Sequence, residues 1–381
     1  MAHRARGERP LLHTCEPISL GARYDFLDAL RGVAALGVIM THASGVGIQP
    51  ASEILKDIVM AGGRGVQLFY VISAFSLYLS LHSRFDEHHP IKKYFVRRFF
   101  RIAPLWWFAI VLYMFIYLVG HNIFFKKIEV WQVVAAFFFL HGMHPYSISQ
   151  VVPGGWSIAV ETSFYMILPL IFIYAGNVFD VFKMFVTSII IENILRRILI
   201  YALPWVFPDI GFESFRHYSD YWLISQLPVF MAGVLSFYFF SYQLKKRKGH
   251  FDKWLLVLCL LMVIAFINVT TFKNIIKNDV IYGVVFSFVV PILTCYQIGG
   301  MINKGLLFFG TISYSLYLMH GVAIIILKNL LSQDAVIKND FAFIFSFISL
   351  VILTVLISII THKIIEIPGI NLGKKVARMF D

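Results

Sequence analysis

Residues 341–362 read FAFIFSFISLVILTVLISIITH, a run without a single Asp, Glu, Lys or Arg. A helix needs about 20 mostly apolar residues to cross the hydrocarbon core of a bilayer. The run therefore predicts a transmembrane helix. Comparable runs recur along the chain and together predict ten spans, at residues 26–44, 65–82, 99–119, 156–175, 181–203, 221–242, 254–271, 280–301, 306–330 and 341–362.

The composition of the whole chain supports the same fold class. Of the 381 residues, 59% are hydrophobic and 14% are charged, and the mean hydropathy is +0.76. Soluble domains are nearer half apolar and a quarter charged, so this composition excludes an ordinary water-soluble protein. We therefore expect an all-α, polytopic bundle of transmembrane helices, with about 10 spans and one short re-entrant or interfacial helix.

The net charge of +12 does not indicate nucleic acid as a partner. The basic residues lie in short segments between the apolar runs, where Lys and Arg mark the cytoplasmic side of a membrane protein. The three cysteines, Cys15, Cys259 and Cys295, are far apart and lack the spacing of a metal site. We therefore expect neither nucleic-acid binding nor a bound metal ion.

The short apolar run from Trp131 to Met143 decides the predicted topology. It has about a dozen residues, which suits an interfacial or re-entrant helix better than a span. If it does not cross, the four basic clusters, at residues 4–23, 92–101, 245–248 and 374–378, fall on one side. We therefore expect both termini in the cytoplasm, with an N-terminal tail at 1–24, a transmembrane domain at 25–366 and a C-terminal tail at 367–381.

The first predicted span contains three ionisable residues, Asp28, Arg31 and His42. Charged groups are costly in hydrocarbon, so they usually line a cavity or pair with one another. Arg31 and His42 are eleven residues apart. On a helix, this separation places them on one face and about 16 Å apart along the axis. The alternative is that Arg31 reaches the cytoplasmic headgroups while His42 lies at the outer interface.

Arg98 and Arg101 lie where the third predicted span begins. Residues three apart are neighbours on one helical face, and two guanidinium groups at this spacing can bind phosphate groups bidentately. The alternative is that these arginines only mark the cytoplasmic side. The second span, 65–82, mixes small and large residues, which indicates close helix packing.

Two further ionisable residues lie inside other predicted spans. Glu161 lies about one turn into the fourth span, where an unpaired carboxylate is costly, so we expect a cationic or hydrogen-bonding partner. His320 lies in the ninth span, and a lone histidine in such a position usually makes an interhelical hydrogen bond. Together with His42, these residues predict one shared polar site.

Two pairs of ionisable residues are spaced four apart, Glu192 with Arg196 and His362 with Glu366. Residues at this spacing are neighbours on a helix, so we expect each pair to interact within its own helix. Pro368 follows the second pair, and we expect it to end the last helix.

Taken in order, these segments resemble acyltransferase family 3, the integral-membrane O-acyltransferases that modify bacterial surface carbohydrates. The resemblance runs from Asp25 to about Gly373. The segments similar to the motifs of the family are Leu30–His42, Gly65–Phe75, Arg98–Pro104, Trp156–Tyr165, Ser313–His320 and Glu366–Pro368. The chain departs from the family pattern at Ala74, Ala159 and Thr162, where Gly, Ser and Glu are usual.

The resemblance implies a reaction and its partners. It implies the transfer of an acyl group, above all acetyl, from cytoplasmic acetyl-CoA or a related thioester to a hydroxyl of a surface polysaccharide or glycolipid. The partners are then an acyl-CoA donor, a carbohydrate or glycolipid acceptor and the lipid bilayer, without a permanently bound cofactor. The location implied is the inner membrane of a bacterium.

The resemblance and the chemistry of the residues together give a candidate site. A histidine is the natural base for acyl transfer to a hydroxyl, so we expect His42 and Glu161 to be catalytic, with Glu161 orienting the imidazole. The expected substrate-binding residues are Arg31, Arg98, Arg101, Trp156, Ser157, Tyr317 and His320.

The sequence leaves the route of the acyl group open. The arginine pair and His42 fall at opposite faces, so either the thioester arm reaches inward past Arg31 or an intermediate such as acyl-histidine hands over the group. The rival functions are a transporter or flippase for a lipid-linked sugar and a structural membrane subunit. A transporter also buries charged residues, but it does not need an arginine pair matched to an outer histidine.

Overall fold

The computed structural model describes residues 25–119, 128–245, 277–296, 302–331 and 336–381. Three sequence-based expectations fall on other residues: the N-terminal tail at 1–24, nearly all of the basic cluster at 245–248 and the seventh span at 254–271. They lie outside the described part of the chain.

The described residues form helices and one pair of very short strands, which confirms the all-α fold class. In chain order, the first elements are α1 (Asp25–His42), β1 (Ile48–Gln49), α2 (Glu53–Gly62), α3 (Gly65–Ser83), α4 (Pro90–Val119), α5 (Val130–Phe137), α6 (Trp156–Tyr174) and α7 (Val178–Arg197). The remaining elements are α8 (Leu203–Val206), α9 (Phe212–Tyr221), α10 (Leu223–Lys245), α11 (Asn278–Tyr296), α12 (Lys304–Thr311), α13 (Ser313–Leu331), β2 (Ile337–Lys338), α14 (Asp340–Thr361) and α15 (Ile367–Arg378).

Within these residues, seven helical segments are long and apolar enough to cross a membrane. They are Asp25–Val46, Glu53–Ser83, Pro90–Val119, Trp156–Tyr174, Phe212–Ser241, Ser313–Leu331 and Asp340–Arg378. Of the other predicted spans, α7 carries five charged residues, and the apolar part of α11, Asn278–Pro291, is short. The count of ten spans therefore stays a prediction.

The short run at 131–143 forms α5, which has eight residues, and a 3-10 turn at His141–Met143. At a rise of about 1.5 Å per residue, α5 is far too short to cross a hydrocarbon core of about 30 Å. This agrees with the expected short interfacial or re-entrant helix.

Two expected helix boundaries were wrong. The predicted span 306–330 is two helices, because α12 ends at Thr311 and α13 begins at Ser313. Pro368 does not end the last helix, since the chain passes through a π turn at His362–Glu366 and continues as α15 to Arg378. Proline is tolerated there because it lies in the first turn of a new helix, where its missing N–H leaves no bond unmade.

The chain divides into two compact units, and each is described by itself. Of the described residues, the first unit comprises 25–27, 67–91, 159–245, 277–296 and 302, and it contains most of α3, most of α6, and α7–α11. Its packing is aromatic, with Phe230 stacked between Tyr70 and Phe164 at centroid distances of 4.4 and 4.1 Å. The expected ion pair within α7 is confirmed, because Arg196 Nε lies 3.0 Å from Glu192 Oε1.

Of the described residues, the second unit comprises 28–66, 92–119, 128–158, 303–331 and 336–381. Hydrogen bonds to carbonyl groups join α4 and α13: Tyr113 donates to Leu318 at 3.0 Å and Tyr314 donates to Ile102 at 2.9 Å. The expected pair of His362 and Glu366 is confirmed at 2.9 Å.

The strand pair ties two distant parts of this second unit together. Ile48 of β1 pairs in parallel with Ile337 of β2. The carboxylate of Asp340 then accepts hydrogen bonds from the amides of Ala51 and Ser52 at 2.6 and 3.0 Å. The loop that follows α1 is therefore held at the start of α14.

Candidate functional site

Two histidines from different helices meet in the second unit. His42 is the last residue of α1 and is exposed, whereas His320 lies within α13 and is 3% exposed. Their rings are 5.1 Å apart between centroids and are tilted by 37°. The structure therefore brings together two of the three residues, both histidines, that the sequence assigned to one polar site.

The hydrogen bonds of these rings indicate their tautomers. Nδ1 of His42 lies 3.0 Å from the carbonyl oxygen of Val38, and Nδ1 of His320 lies 2.6 Å from that of Tyr317. A carbonyl oxygen only accepts, so each Nδ1 carries the hydrogen and donates it. Each neutral ring is left with an acceptor lone pair on Nε2, and in His42 that nitrogen belongs to an accessible ring.

Tyr317 links the histidines to the start of α6. Its hydroxyl donates to the carbonyl oxygen of Gly154 at 3.0 Å and accepts from Ser157 Oγ at 2.6 Å. Its ring is 5.8 Å from that of His320, centroid to centroid. Gly154 has φ of +75°, in the left-handed region that favours glycine, and this turn directs its carbonyl group to Tyr317.

Four expected site residues therefore form one continuous cluster, and a fifth adjoins it. The cluster consists of His42, Ser157, Tyr317 and His320. The fifth residue is Trp156, which begins α6 directly before Ser157 and is half-buried.

His141 supports the same turn and was not predicted from the sequence. Its ring is 3% exposed, it stacks on Trp106 at 5.0 Å, and its Nε2 donates to the carbonyl oxygen of Gly155 at 3.0 Å. Burial lowers the pKa of His141 to about 4, so the ring is neutral near pH 7. The sequence offered no periodic or motif signal for this contact, because His141 lies in a short loop.

The three arginines of the expected donor site also come together in the second unit. Arg31 Nη1 pairs with Asp28 Oδ1 at 2.9 Å, and Arg31 interacts electrostatically with Arg101 and Arg98 of α4. All three arginines are half-buried. Guanidinium groups this close repel one another, so the cluster favours a bound anion, and their planar forks suit phosphate oxygens.

Glu161 lies in the first unit, and its expected need for a partner is confirmed. Its Oε1 accepts hydrogen bonds from Ser73 at 2.6 Å and from Tyr165 at 2.7 Å. Tyr165 could have been found from the sequence, since it lies four residues after Glu161 on the same helix. Ser73 was missed because its segment was interpreted as plain helix packing. The expectation that Glu161 orients His42 stays a prediction.

Comparisons with known proteins identify the family of the chain. The model of acyltransferase family 3, described as an acyltransferase domain, matches residues 24–363. The chain is similar to "Putative acetyltransferase ORF330" of Acidianus two-tailed virus, with 25% identity over 321 residues that cover 82% of this chain and 86% of the viral protein. No solved structure matches the chain.

The family match spans most of the chain, including α1, α4, α6 and α13, the helices that carry the histidine cluster and the three arginines. The helices that are long and apolar enough to cross a membrane agree with an integral-membrane enzyme. The chain is a membrane acyltransferase and belongs to acyltransferase family 3.

Proposed function

We propose that this enzyme transfers an acyl group, above all acetyl, from acetyl-CoA or a related acyl-CoA to a hydroxyl of a surface polysaccharide or glycolipid. The observation that carries the proposal is the state of His42. Its ring is accessible and its Nδ1 is occupied by the carbonyl group of Val38, so in the neutral form its Nε2 keeps a lone pair. A neutral imidazole held in this way is a general base that needs no further tautomeric change.

The reaction then has two proton transfers through one atom. His42 Nε2 takes the proton of the acceptor hydroxyl while that oxygen attacks the carbonyl carbon of the thioester, which forms the new C–O bond. When the tetrahedral intermediate collapses, the C–S bond breaks and the sulfur leaves with the bonding electrons. The imidazolium returns the proton to this sulfur, so free CoA and an O-acyl sugar are formed and His42 is restored.

The three arginines are the proposed binding site for the phosphate groups of the donor. Arg31 lies with Arg98 and Arg101 and is on the same helix as His42, eleven residues away. That separation is about 16 Å along the helix axis, about half the thickness of the hydrocarbon core. An extended pantetheine arm covers such a distance, which favours direct transfer from the thioester over an acyl-enzyme intermediate.

The remaining residues of the cluster have proposed roles on the acceptor side. The hydroxyl groups of Ser157 and Tyr317 and the half-buried ring of Trp156 are suited to contact a sugar, through hydrogen bonds and through an apolar face. His320 is proposed to hold the ring of His42 in place through the contact between the two rings. Glu161, the second expected catalytic residue, is proposed to stabilise the charged form of the base by its negative charge. The proposed location is a bacterial inner membrane with both termini in the cytoplasm.

A comparison of cells with and without the protein tests the proposed function. Surface carbohydrate is purified from cells that express the wild type or His42→Ala, and its acetyl content is measured by mass spectrometry. We expect acetyl ester in the wild type and none in the variant. Equal acetylation with a changed amount of surface carbohydrate would instead support a transporter for a lipid-linked sugar.

A further inference from the structure

Helix α15 packs along α4 in the second unit, and two glycines allow a very close approach. A Cβ atom on Gly369 would lie 2.8 Å from Cγ of Pro104, and one on Gly373 would lie 2.6 Å from Cβ of Phe100. Such distances admit no side chain at either position. Residue numbers rise along α15 as they fall along α4, so the two helices are antiparallel.

A third contact extends the same register beyond the end of α15. The carboxylate of Asp381 pairs with Nζ of Lys93, which is 2% exposed. The two glycine contacts set a register in which Lys374 is level with residue 99 of α4 and Arg378 is level with residue 95. Two of the three basic residues of α15, Lys374 and Arg378, therefore lie near the level of the arginines of α4.

The contact stripe on α4 locates the two arginines around the helix. Lys93, Phe100 and Pro104 contact the C-terminal segment, and Arg97 shares their face because it lies four residues after Lys93 and three before Phe100. Arg98 and Arg101 each directly follow a member of this stripe.

The stripe on α15 consists of the buried residues Gly369, Gly373 and Ala377. Lys374 and Arg378 each directly follow a member of this stripe. Two antiparallel helices are related by an approximate two-fold axis perpendicular to the plane that contains them. Rotation about this axis exchanges the helices but not the two sides of that plane, so residues that directly follow the contact stripe of either helix lie on the same side. The four basic residues, two from each helix, therefore lie on one flank of the helix pair.

This flank is strongly cationic. Lys374 and Arg378 are exposed and Arg101 is half-buried, and none of the three forms an ion pair among the residues that the structure describes. Asp381, the nearest acidic residue along the segment, is already paired with Lys93. Lys375, in contrast, lies on the side of α15 that faces away from α4, since it is two residues from both Gly373 and Ala377.

We propose that Lys374 and Arg378 bind the 3′-phosphate of acyl-CoA beside the Arg98–Arg101 pair. The inference rests on the proposed function. CoA carries a diphosphate bridge and a separate phosphomonoester on its ribose, so it presents two anionic groups to the protein. The arginine pair takes the diphosphate, and the two exposed cations of α15 take the phosphomonoester, which carries close to two negative charges near pH 7. A lipid headgroup offers similar phosphate chemistry, so the test separates the two sources.

The test compares CoA with 3′-dephospho-CoA, which lacks only the phosphomonoester. The full chain is placed in nanodiscs of zwitterionic phosphatidylcholine, and the dissociation constants of both ligands are measured. We expect the wild type to bind CoA about tenfold more tightly than 3′-dephospho-CoA. A factor of ten corresponds to about 1.4 kcal/mol, the contribution of about one charge-assisted hydrogen bond. In Lys374→Ala/Arg378→Ala, CoA should bind as weakly as dephospho-CoA, while binding of dephospho-CoA stays unchanged. Lys375→Ala, the matched control, should keep the wild-type preference.

Three outcomes would overturn the inference. In the first, the wild type binds both ligands equally well. In the second, the double variant weakens both ligands by the same factor. In the third, the variant changes binding only in nanodiscs that contain anionic phosphatidylglycerol, which would identify lipid as the partner. A wild type that binds neither CoA nor dephospho-CoA would contradict the proposed donor itself, a result distinct from all three.

Discussion

The ring of His42 lies against the ring of His320, with 5.1 Å between their centroids, and only His42 is accessible. Both rings carry their hydrogen on Nδ1, since each Nδ1 faces a carbonyl oxygen. Of two equivalent bases, only the exposed one can reach a substrate hydroxyl. This difference in exposure is the physical reason for assigning the chemistry to His42 and support of the ring to His320.

The hydroxyl of Tyr317 should matter for activity more than for folding. Tyr317→Phe removes the bonds to Gly154 and Ser157 next to His320. We expect acetyl transfer to fall about tenfold, because these two hydrogen bonds hold the geometry of the site and a loss of about 1.4 kcal/mol in the barrier is a factor of ten. Tyr314→Phe is the matched control. Tyr314 lies on α13 like Tyr317, and its hydroxyl also donates to a carbonyl group, that of Ile102. An equal loss of activity in both variants would contradict a specific role of Tyr317.

The arginine pair should determine the affinity for the donor. In Arg98→Ala and Arg101→Ala we expect KM for acetyl-CoA to rise about tenfold or more, with kcat less affected, because phosphate contacts hold the donor in the ground state and transition state alike. Arg→Lys should restore only part of the affinity, since an ammonium group lacks the planar fork. Lys92→Ala, at an exposed position of the same helix, is the control. Unchanged KM values in both alanine variants would mean that Arg98 and Arg101 do not bind the donor and only mark the cytoplasmic side.

Glu161 should contribute less than His42. Glu161→Gln keeps the shape and an acceptor oxygen for Ser73 and Tyr165 but removes the charge. If Glu161 only stabilises the charged form of the base, kcat should fall by less than the factor of about 10²–10⁴ expected for loss of a general base. A loss as large as that of His42→Ala would show that Glu161 takes a direct part in the chemistry.

His141 should make the fold sensitive to acid. Its pKa is lowered to about 4 by burial, whereas an unfolded chain titrates near the ordinary value of about 6.5. Between these values the unfolded state binds a proton that the folded state does not, so stability falls as pH falls through this window, by up to about 3 kcal/mol.

The variant His141→Gln tests this sensitivity. Its amide can still donate to Gly155 but does not titrate, so thermal unfolding in detergent should depend less on pH between 6.5 and 4 than in the wild type. His144→Gln is the control, because His144 is only half-buried and should contribute less. An unchanged pH dependence in His141→Gln would refute the buried, neutral state of this ring.

Most helices could be predicted from the sequence because lipid as a solvent demands long apolar runs. The break between α12 and α13 could not, since Ile312 is itself apolar and a single glycine such as Gly310 is also tolerated inside a helix. The role of Pro368 was mispredicted for a different reason. Proline breaks the interior of a helix but fits its first turn, and only the structure distinguishes these two positions.

The site was predictable where its residues are costly in a membrane. His42 and His320 were predicted to share a polar site because ionisable groups in hydrocarbon need partners. The structure brings the two rings together. His141 could not be found in the same way. Its contact with Gly155 depends on how a loop folds back onto the start of α6, and no local pattern records that path.

The central claim, that His42 is the base, is tested most directly by acetyl transfer in membranes. Membranes that contain the wild type, His42→Ala or His320→Ala receive radiolabelled acetyl-CoA, and label in the carbohydrate fraction is normalised to inserted protein. We predict that His42→Ala loses transfer by at least the factor of about 10²–10⁴ typical of a general base, while His320→Ala keeps a measurable fraction. An active His42→Ala enzyme, with transfer lost in His320→Ala instead, would contradict the account.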